Sequence, residues 1–541
     1  MVNYWFKNAI IYSLDVETFC DSNGDGIGDF PGLISRMDYL ASLGITCLWL
    51  LPFYPSPNRD NGYDVKDYYG IDSRLGDSGD FVRFMEKAEQ CGIRVIIDMV
   101  INHTSIEHPW FQEARQNKNN KYRDFYVWSD KPLKHHEAEL TFGGEENSMW
   151  TFDETAGQYY LHRFYKEQPE LNIMNPAVRS EILKIMGYWL SHGVGGFRID
   201  AAAILIEPFG IRNAEEKELV KFLDEMRDFL MARKTDAILL AEVNIKPKEM
   251  KVYLSGEDRM HMIFNFYINQ HLFLSLAMQD SGPLVKAFRN VPELDDTHQW
   301  LNFLRHHDEL TLGLLSHEQR KIIYQKFGPK KEMQIYDRGI RRRIAPMVDS
   351  DPEKLRLFYS LLFSIPGVPL IRYGDEIGMG DDLSLEGRLS VRTPMQWDNT
   401  RNGGFSGTKA ETIMPVIDSG PFGYKEVNVM NAQSHSQSLL NWLQKCIVLR
   451  KQCPEIGLGR YQFHNLHAKL LVHSCEVNEN KVFFIHNLSA RKQSINVKSF
   501  IKDGSAAIHL FGSRRIESIE KKITIEPFEY HWWRIIKTTD K

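Results

Sequence analysis

Eight short apolar runs recur along the first 371 residues, separated by segments with helical periodicity. Runs of four to eight apolar, branched and aromatic residues between such segments are typical of buried strands. The runs are Ala9–Val16, Ile45–Leu51, Ile93–Val100, Gly193–Asp200, Ala237–Val243, Met260–Tyr267, Trp300–Leu304 and Val368–Ile371. Because helices alternate with these strands, the pattern predicts a parallel sheet, and eight strands predict an α/β fold of the (β/α)8 TIM-barrel type.

Two stretches interrupt the alternation. From Thr104 to Leu171 aromatic and polar residues mix without a clear period, over a length that is unusual for a loop. We therefore predict a small subdomain inserted after the third strand. The second stretch, Asp308 to Asp351, carries basic residues at Arg338 and from Arg341 to Arg343, which predicts a solvated excursion over the mouth of the barrel.

Beyond about residue 460 the pattern changes to short alternating strands with polar turns. These are Leu470–Val477, Val482–His486, Ser494–Phe500, Ala506–Phe511 and Ile523–Ile536. They predict a small C-terminal antiparallel β-sandwich. The predicted division is a barrel over 1–103 and 172–459, an inserted subdomain over 104–171 and the sandwich over 460–541.

Composition restricts the class of protein further. The 541 residues are 43% hydrophobic and 25% charged, enough for two or three domains with a large core. A net charge of −5 argues against a nucleic-acid partner. No apolar run reaches membrane-spanning length, and no basic leader precedes one, so the expectation is a cytoplasmic protein without a membrane partner. The six scattered cysteines favour buried reduced thiols. The oligomeric state is left open, with a homo-oligomer as one alternative.

Carboxylates stand at the ends of three different predicted strands: Asp200 after the fourth, Glu242 at the end of the fifth, and Asp308 just past the seventh. Barrel catalysis takes place where the carboxyl ends of the strands meet, so the three should converge. Paired carboxylates carry out glycosidic bond cleavage. Arg198, two residues before Asp200, points to the same side of the strand and should keep Asp200 ionised. The apolar run before Glu242 should raise its pKa, as a general acid requires.

Two histidines lie near the same rim. His103 follows the third strand and His307 precedes Asp308. As neutral donors, they suit sugar hydroxyl groups. Asp98 is expected either to fix Arg198 or His103 or to play a structural role.

A separate polar loop follows the first strand. Asp21, Asn23 and Asp25 alternate with small residues, and Asp29 follows. This spacing wraps oxygen ligands around a hard cation, and Ile27 would add its backbone carbonyl. The loop lacks a glutamate at its twelfth position, so it is not a helix–loop–helix calcium hand. We expect a structural calcium ion here, the alternative being a turn rich in glycine and aspartate. No organic cofactor is expected.

At this point the motifs resemble a known family. The blocks DMVINH (98–103) and GFRID (196–200), Glu242 and the pair His307–Asp308 are similar to the four signature blocks of the α-amylase family, glycoside hydrolase family 13. The resemblance implies that Asp200 is the nucleophile, Glu242 the acid/base and Asp308 the stabiliser of the transition state. It also implies that the inserted subdomain corresponds to domain B of that family and the C-terminal sandwich to its domain C.

Further blocks resemble the trehalose synthase branch of that family. They are FLRHHDELT (303–311), RYGDEIGMGDD (372–382) and VRTPMQW (391–397). The likeness implies conversion of maltose to trehalose through a glucosyl group on Asp200. Asp60, Tyr63 and Arg392 match positions that hold the non-reducing glucose in exo-acting relatives. The loop with Asp21 resembles the calcium loop of the oligo-1,6-glucosidase branch.

The chain departs from this branch near the acceptor side. His306 stands where trehalose synthases usually have Asn, Glu170 replaces an Asp, and residues 201–210 run on differently. The alternatives are therefore an α-glucosidase or an intermolecular α-transglucosylase on short α-glucosides and, from another class, a non-catalytic sugar-binding protein. Retention of Asp200, Glu242 and Asp308 together argues against the last.

Overall fold

The computed structural model describes residues 4–133, 141–142, 145–211, 214–254, 259–464, 467–496, 505–516 and 522–537. Within these ranges no helix has both the length and the apolar character needed to span a membrane. All six cysteines lie in the described part, and all six are free thiols.

A closed barrel of eight parallel strands forms the centre of the molecule, and consecutive strands of the barrel are hydrogen-bonded neighbours. The strands are β1 Ile11–Leu14, β2 Cys47–Leu50, β3 Arg94–Met99, β4 Gly196–Ile199, β5 Ile238–Ala241, β6 Met262–Phe264, β7 Gln299–Phe303 and β8 Val368–Arg372. β1 pairs with β8 and so closes the ring. The sequence prediction of a TIM barrel is confirmed, with β1 to β6 shorter than their apolar runs.

The two-residue period of each strand separates the core into two parts. Side chains such as Ile11, Trp49, Leu240 and Phe264 point inward and form a compact interior cluster. The residues between them, such as Leu48, pack outward against the surrounding helices in the largest cluster. A barrel of eight strands is narrow enough for side chains to fill it, so only its rim is available for a ligand.

Helices cover the barrel between successive strands. Those of six residues or more are Phe30–Ser35, Met37–Leu43, Ser78–Gln90, Pro176–Ser191, Glu216–Arg233, Pro247–Leu254, Phe266–Met278, Gly282–Asn290, His317–Phe327, Pro352–Ser364, Val429–Ser434 and Leu439–Lys451. Helices of four residues are Ala202–Leu205, Ile344–Met347 and Glu455–Leu458. Asp351 caps one helix by accepting hydrogen bonds from the N–H groups of Glu353 and Lys354. Gly44 ends another in the left-handed conformation, with φ at 93°.

A three-stranded antiparallel sheet lies between β3 and β4, in the region predicted as an insertion. Its strands are Trp128–Ser129, Trp150–Asp153 and Gln158–Leu161, and helix Pro109–Gln116 precedes them. A bridge between His103 and Glu170 joins the two ends of the region at the barrel rim. The boundaries at 104 and 171 stay predictions.

The excursion between Asp308 and Asp351 is not the solvated loop that its basic residues predicted. It contains helix His317–Phe327 and a small sheet of Leu310–Thr311, Gln334–Ile335 and Gly339–Ile340. Arg343 is only 1% exposed and pairs with Asp375 at 3.0 Å, and Arg342 pairs with Asp381. The prediction was wrong because acidic partners after β8, remote in sequence, neutralise these arginines inside the fold.

The C-terminal region forms antiparallel sheets of five and two strands. The five-stranded sheet contains Arg460–Phe463, Leu470–Val477, Asn480–Asn487, Ser505–Gly512 and Tyr530–Lys537, and the smaller one Gln493–Asn496 and Lys522–Ile525. The run predicted as one strand from Ile523 to Ile536 is divided by a turn at Phe528, where φ is 56°. Residues 497–500 of another predicted strand lie outside the described ranges.

Substitution of Gly196 tests how tightly β4 is packed against its neighbour. A Cβ atom at this position would lie 2.4 Å from the carbonyl oxygen of Ile238, and φ is 152°. We expect Gly196→Ala to lower the free energy of unfolding by about 1–3 kcal/mol, because the backbone of β5 has no room to move. Denaturant unfolding measures this difference. Gly407→Ala is the control, since a Cβ atom there meets nothing within 4 Å; equal effects of both variants would contradict the prediction.

Candidate active site

Arg198 lies at the centre of the barrel mouth and joins three carboxylates. Its Nη1 atom is 2.5 Å from Asp98 Oδ1 and 2.6 Å from Asp200 Oδ1, and its Nη2 atom is 2.9 Å from Glu242 Oε2. In the parallel register Asp98 and Leu240 are the direct neighbours of Arg198 on β3 and β5. Asp200 and Glu242 follow two residues after Arg198 and Leu240, directly past the ends of β4 and β5 and nearer the rim.

Burial and Arg198 act in opposite directions on these acids. Burial raises the pKa of Asp200 to about 7, although the Arg198 guanidinium lowers it. The predicted attraction by Arg198 is present, but burial and the neighbouring carboxylates outweigh it. Burial also raises the pKa of Asp98 to about 6 against the same guanidinium. Asp98 further accepts hydrogen bonds from the Trp49 indole and the Tyr63 hydroxyl, so it fixes Arg198 within the barrel.

Glu242 is held from two sides. Besides Arg198, the backbone N–H of Ala201 donates to Glu242 Oε2 at 3.0 Å. Ala201 has a φ of 45°, a left-handed conformation that is uncommon for alanine and typical of functional sites. Burial raises the pKa of Glu242 above its ordinary value, although Arg198 opposes this shift. The raised pKa agrees with the sequence prediction, and it suits a group that must carry a proton.

Asp308 has the opposite electrostatic environment. Burial acts to raise its pKa, but His307, Arg388 and Arg392 hold it well below the usual range. Arg392 and Arg388 both reach Asp308 Oδ1, at 2.6 and 2.7 Å. The Nε2 atom of His307 lies 3.0 Å from Asp308 Oδ2 and 2.9 Å from the hydroxyl of Tyr63. Burial lowers the pKa of His307 to about 3, so its ring is neutral and acts as a hydrogen-bond donor.

Arg388, which the sequence analysis missed, connects two walls of the site. Its Nη2 atom donates to Asp60 Oδ1 at 2.9 Å while Nη1 donates to Asp308. Gln168 donates to the other oxygen of Asp60 at 3.0 Å. Arg392 instead lies deeper, bound to the His307 carbonyl and to Asn61. A signal was present, because Arg388 lies one helical turn before Arg392, but only the fold shows that it reaches Asp60.

A cavity of about 340 Å³ opens above these groups. It is lined by Asp60, Tyr63, His103, Thr141, Phe142, Phe164, Asp200, Ala201, Ala203, Ile204, Glu242, Asn244, Phe266, His306, Asp308, Glu309, Thr311, Arg338 and Arg388. The volume is in the range of small-molecule sites. Its floor is polar and carries the carboxylates, whereas its upper walls include aromatic rings. This arrangement suits a ligand with many hydroxyl groups and an apolar face, such as a sugar.

His103 stabilises the wall of this cavity as well as lining it. Its Nε2 atom is 3.1 Å from the carbonyl oxygen of Tyr63, and its ring lies 4.9 Å from that of Phe164. Burial lowers the pKa of His103 to about 4, so the ring is neutral. Opposite, Arg163 pairs with buried Glu170 and donates to the Ile204 carbonyl, which holds the segment after Asp200 against the inserted region.

The predicted calcium loop is a tight turn in the segment that follows β1. Asp21 accepts hydrogen bonds from the N–H groups of Asn23, Gly24 and Gly26, and the hydroxyl of Ser406 donates to Asp21. Asn23 and Asp25 accept from the N–H groups two residues later. The oxygen donors that a hard cation needs are present in order, and the loop is already folded. Asp29 serves as a helix cap and accepts from Gly32.

A comparison with protein families decides the broader identity. The sequence model of the α-amylase catalytic domain matches residues 13–459, which include every barrel strand but the first two residues of β1. The chain belongs to the α-amylase family.

Individual members of the α-amylase family are similar over nearly the whole chain. A protein named trehalose synthase/amylase TreS, from Mycolicibacterium smegmatis, is 38% identical, with 98% of this chain and 92% of the relative covered. A trehalose synthase from Pimelobacter is 37% identical, with coverage of 98% and 96%. Among solved structures, the trehalulose synthase MutB from Pseudomonas mesoacidophila has a TM-score of 0.77 at 25% identity, covering 98% of this chain and 99% of that one.

The structure brings together the residues that the sequence pointed to for catalysis and sugar binding. These are Asp60, Tyr63, His103, Arg198, Asp200, Glu242, His307, Asp308 and Arg392. The residues predicted to bind calcium, namely Asp21, Asn23, Asp25, Ile27 and Asp29, form a separate loop. In the described ranges, one group of three His, Cys, Asp or Glu side chains has donor atoms within 4.8 Å of one another, namely His306, His307 and Asp308. The two arginines on Asp308 already neutralise that site, so we assign no metal to it.

The pKa of Asp200 predicts an acid limb in the pH profile of this α-amylase family member. The attack predicted for Asp200 requires its ionised form, and burial places its pKa at about 7. We therefore expect kcat/KM for maltose consumption to fall about tenfold for each pH unit below about 7. Circular dichroism over the same range checks that the fold persists. A constant kcat/KM down to pH 5 would contradict this assignment.

Proposed function

We propose that this protein converts maltose to trehalose by transferring a glucosyl unit within one closed site. The observation that carries the proposal is the set of Asp200, Glu242 and Asp308 at one cavity with Arg388 bridging Asp60 to Asp308. The relatives named trehalose synthase support it, since their likeness extends over nearly the entire chain. The cavity accepts a small α-glucoside, with the non-reducing glucose at the carboxylates.

In the first half of the reaction, a carboxylate oxygen of Asp200 attacks C1 of the non-reducing glucose. Glu242 donates its proton to the glycosidic oxygen, so the bond breaks and a neutral glucose molecule is released into the cavity. Arg198 contacts both acids from one guanidinium group, which keeps them within reach of the same bond, as the ~5 Å carboxyl separation of retaining enzymes requires. Asp308, ionised by its arginines, stabilises positive charge developing at C1.

In the second half, the released glucose turns within the cavity and presents its anomeric hydroxyl group to the glucosyl-enzyme. Glu242, now ionised, takes the proton of this hydroxyl. The oxygen attacks C1, the bond to Asp200 breaks and trehalose forms. Atoms and charges balance without a cofactor, and Glu242 regains the protonated form in which it started. Exclusion of water decides whether this step competes with hydrolysis.

The alternative is an α-glucosidase or an intermolecular transglucosylase. It is favoured by the segment after Asp200, where Ala203 and Ile204 line the acceptor side of the cavity with apolar side chains. Such a wall holds a second sugar through few polar contacts. In this alternative the glucosyl-enzyme forms in the same way, but water or another sugar takes the glucose.

Incubation with maltose distinguishes these functions. We expect proton NMR to show trehalose as the main product, with a minor amount of glucose. Asp200→Asn is the control, because it keeps the size of the side chain, removes the nucleophile and should abolish both products. Glucose as the sole product would contradict the proposal and support the hydrolase. Efficient capture of the glucosyl unit by an added sugar would support the transglucosylase.

We further propose that the loop from Asp21 to Asp29 binds a structural calcium ion. Asp21, Asn23, Asp25 and Asp29 would supply side-chain oxygens and Ile27 its carbonyl. The order of these donors and the prefolded turn support the proposal.

Removal of calcium tests this second proposal. In a sample shown by metal analysis to contain calcium, we expect a chelator to lower the melting temperature by several degrees, because a ligand that binds only the folded state stabilises it. Asp25→Ala is the matched variant, and its melting temperature should not respond to the chelator. An unchanged melting temperature of the loaded wild-type protein would overturn the structural role.

A further inference from the structure

A strained hairpin tip stands at the mouth of the cavity. It consists of Tyr336, Asp337 and Arg338, which connect strands Gln334–Ile335 and Gly339–Ile340. Tyr336 and Asp337 both adopt left-handed conformations, with φ of 54° and 50°. Consecutive left-handed residues other than glycine are costly, and such strain is concentrated at functional sites. We call these three residues the tip.

The tip contacts the inserted region across the mouth of the cavity. The Nη2 atom of Arg338 donates to the backbone carbonyl of Thr141 at 2.6 Å. The hydroxyl of Tyr336 donates to Glu145 Oε1 at 3.3 Å, and its ring lies 5.6 Å from that of Phe142. These contacts join segments almost 200 residues apart, as the sequence separations of 197 and 191 show.

Phe142 links these contacts to Arg388 and, through it, to the carboxylates of the proposed sugar site. Phe142 is 6% exposed and stacks on Tyr165 at 4.5 Å, while the guanidinium of Arg388 lies 4.7 Å from its ring. Arg388 in turn pairs with Asp60 and Asp308. Arg338, Thr141 and Phe142 also line the cavity themselves. The tip thus completes a wall that continues to the reacting carboxylates.

The tip is anchored to its own sheet rather than to the carboxylates. The backbone N–H of Leu312 donates to the Arg338 carbonyl at 2.6 Å, and Lys331 pairs with Asp337 at 2.9 Å. The side chains of Tyr336 and Arg338 therefore reach across to the inserted region from a fixed support. Their loss would open the wall without removing a group that touches the scissile bond.

We propose that Arg338 and Tyr336 determine what accepts the glucosyl group, by closing the cavity through their contacts with Thr141, Phe142 and Glu145. This inference rests on the proposed function. While the wall is closed, the glucose released from maltose is retained and reacts before water or sugar from solution enters. Once the wall is open, the same glucosyl-enzyme is captured from outside. The two residues are thus specificity determinants and take no part in bond cleavage.

Isotope exchange tests the proposal on the full-length protein. Each variant is incubated with unlabelled maltose and ¹³C-labelled glucose. NMR measures the label in trehalose and the ratio of unlabelled free glucose, which comes from maltose, to trehalose. For the wild type we expect little label in trehalose. For Arg338→Ala we expect both quantities to rise about tenfold, the effect of losing one charge-assisted hydrogen bond of ~1.4 kcal/mol. Tyr336→Phe should produce a smaller rise.

Matched variants separate this role from general damage to the fold. Arg338→Lys keeps a donor for the Thr141 carbonyl and should restore much of the wild-type ratio. Lys330→Ala, on the same excursion and paired only with Glu332 among the described ion pairs, should leave the ratio unchanged. A variant that is merely less stable loses total activity without a change in the ratio.

The outcomes are distinct. If Arg338→Ala and Tyr336→Phe both form trehalose with the wild-type label content and the wild-type ratio of free glucose to trehalose, the role of the tip is overturned. The proposed function stays intact in that case. A wild-type protein that forms only glucose overturns the proposed function and this inference with it. Tyr336→Phe removes a single oxygen atom, so the test remains decisive even when Arg338→Ala does not fold.

Discussion

One buried guanidinium group, that of Arg198, stabilises an arrangement of acids that would otherwise repel one another. Asp98, Asp200 and Glu242 all lie within hydrogen-bond distance of it, and Arg198 itself is 1% exposed. Removal of one member of a buried ionic cluster leaves the others unpaired at a cost of several kcal/mol. The barrel therefore has to place β3, β4 and β5 in one register, since a shift by one residue would turn these side chains outward.

The same cluster explains why acids of the same chemical type differ in protonation. Burial raises the pKa of Asp200 and Glu242, and one guanidinium shared among three carboxylates lowers it only in part. Asp308 pairs with two arginines, Arg388 and Arg392, and its pKa stays low. Acids that follow β4, β5 and β7 thus differ in charge state within one cavity, and the arginines after β8 set the state of Asp308. This division of roles is the general pattern of paired acids in catalysis.

Local patterns in the sequence predicted the structural features that depend on residues close together in the chain. The apolar runs predicted all eight barrel strands, and the position of Asp200, Glu242 and Asp308 after their strands predicted that they meet. Contacts between distant segments could not be read in this way. Arg343 was expected in solvent because its partner, Asp375, follows 32 residues later. Arg388 was missed because its spacing from Arg392 does not show that it reaches Asp60, 328 residues earlier in the chain. Arg338 was missed because its contact is to a backbone carbonyl.

The bridge from Arg388 to Asp60 spans 328 residues of sequence. Arg388 follows the last barrel strand, so a chain emerging from the ribosome has exposed its three acids long before the arginine that completes the sugar site is synthesised. A nascent or truncated chain that ends before this arginine holds Asp60 and Asp308 without the guanidinium group that pairs with both of them.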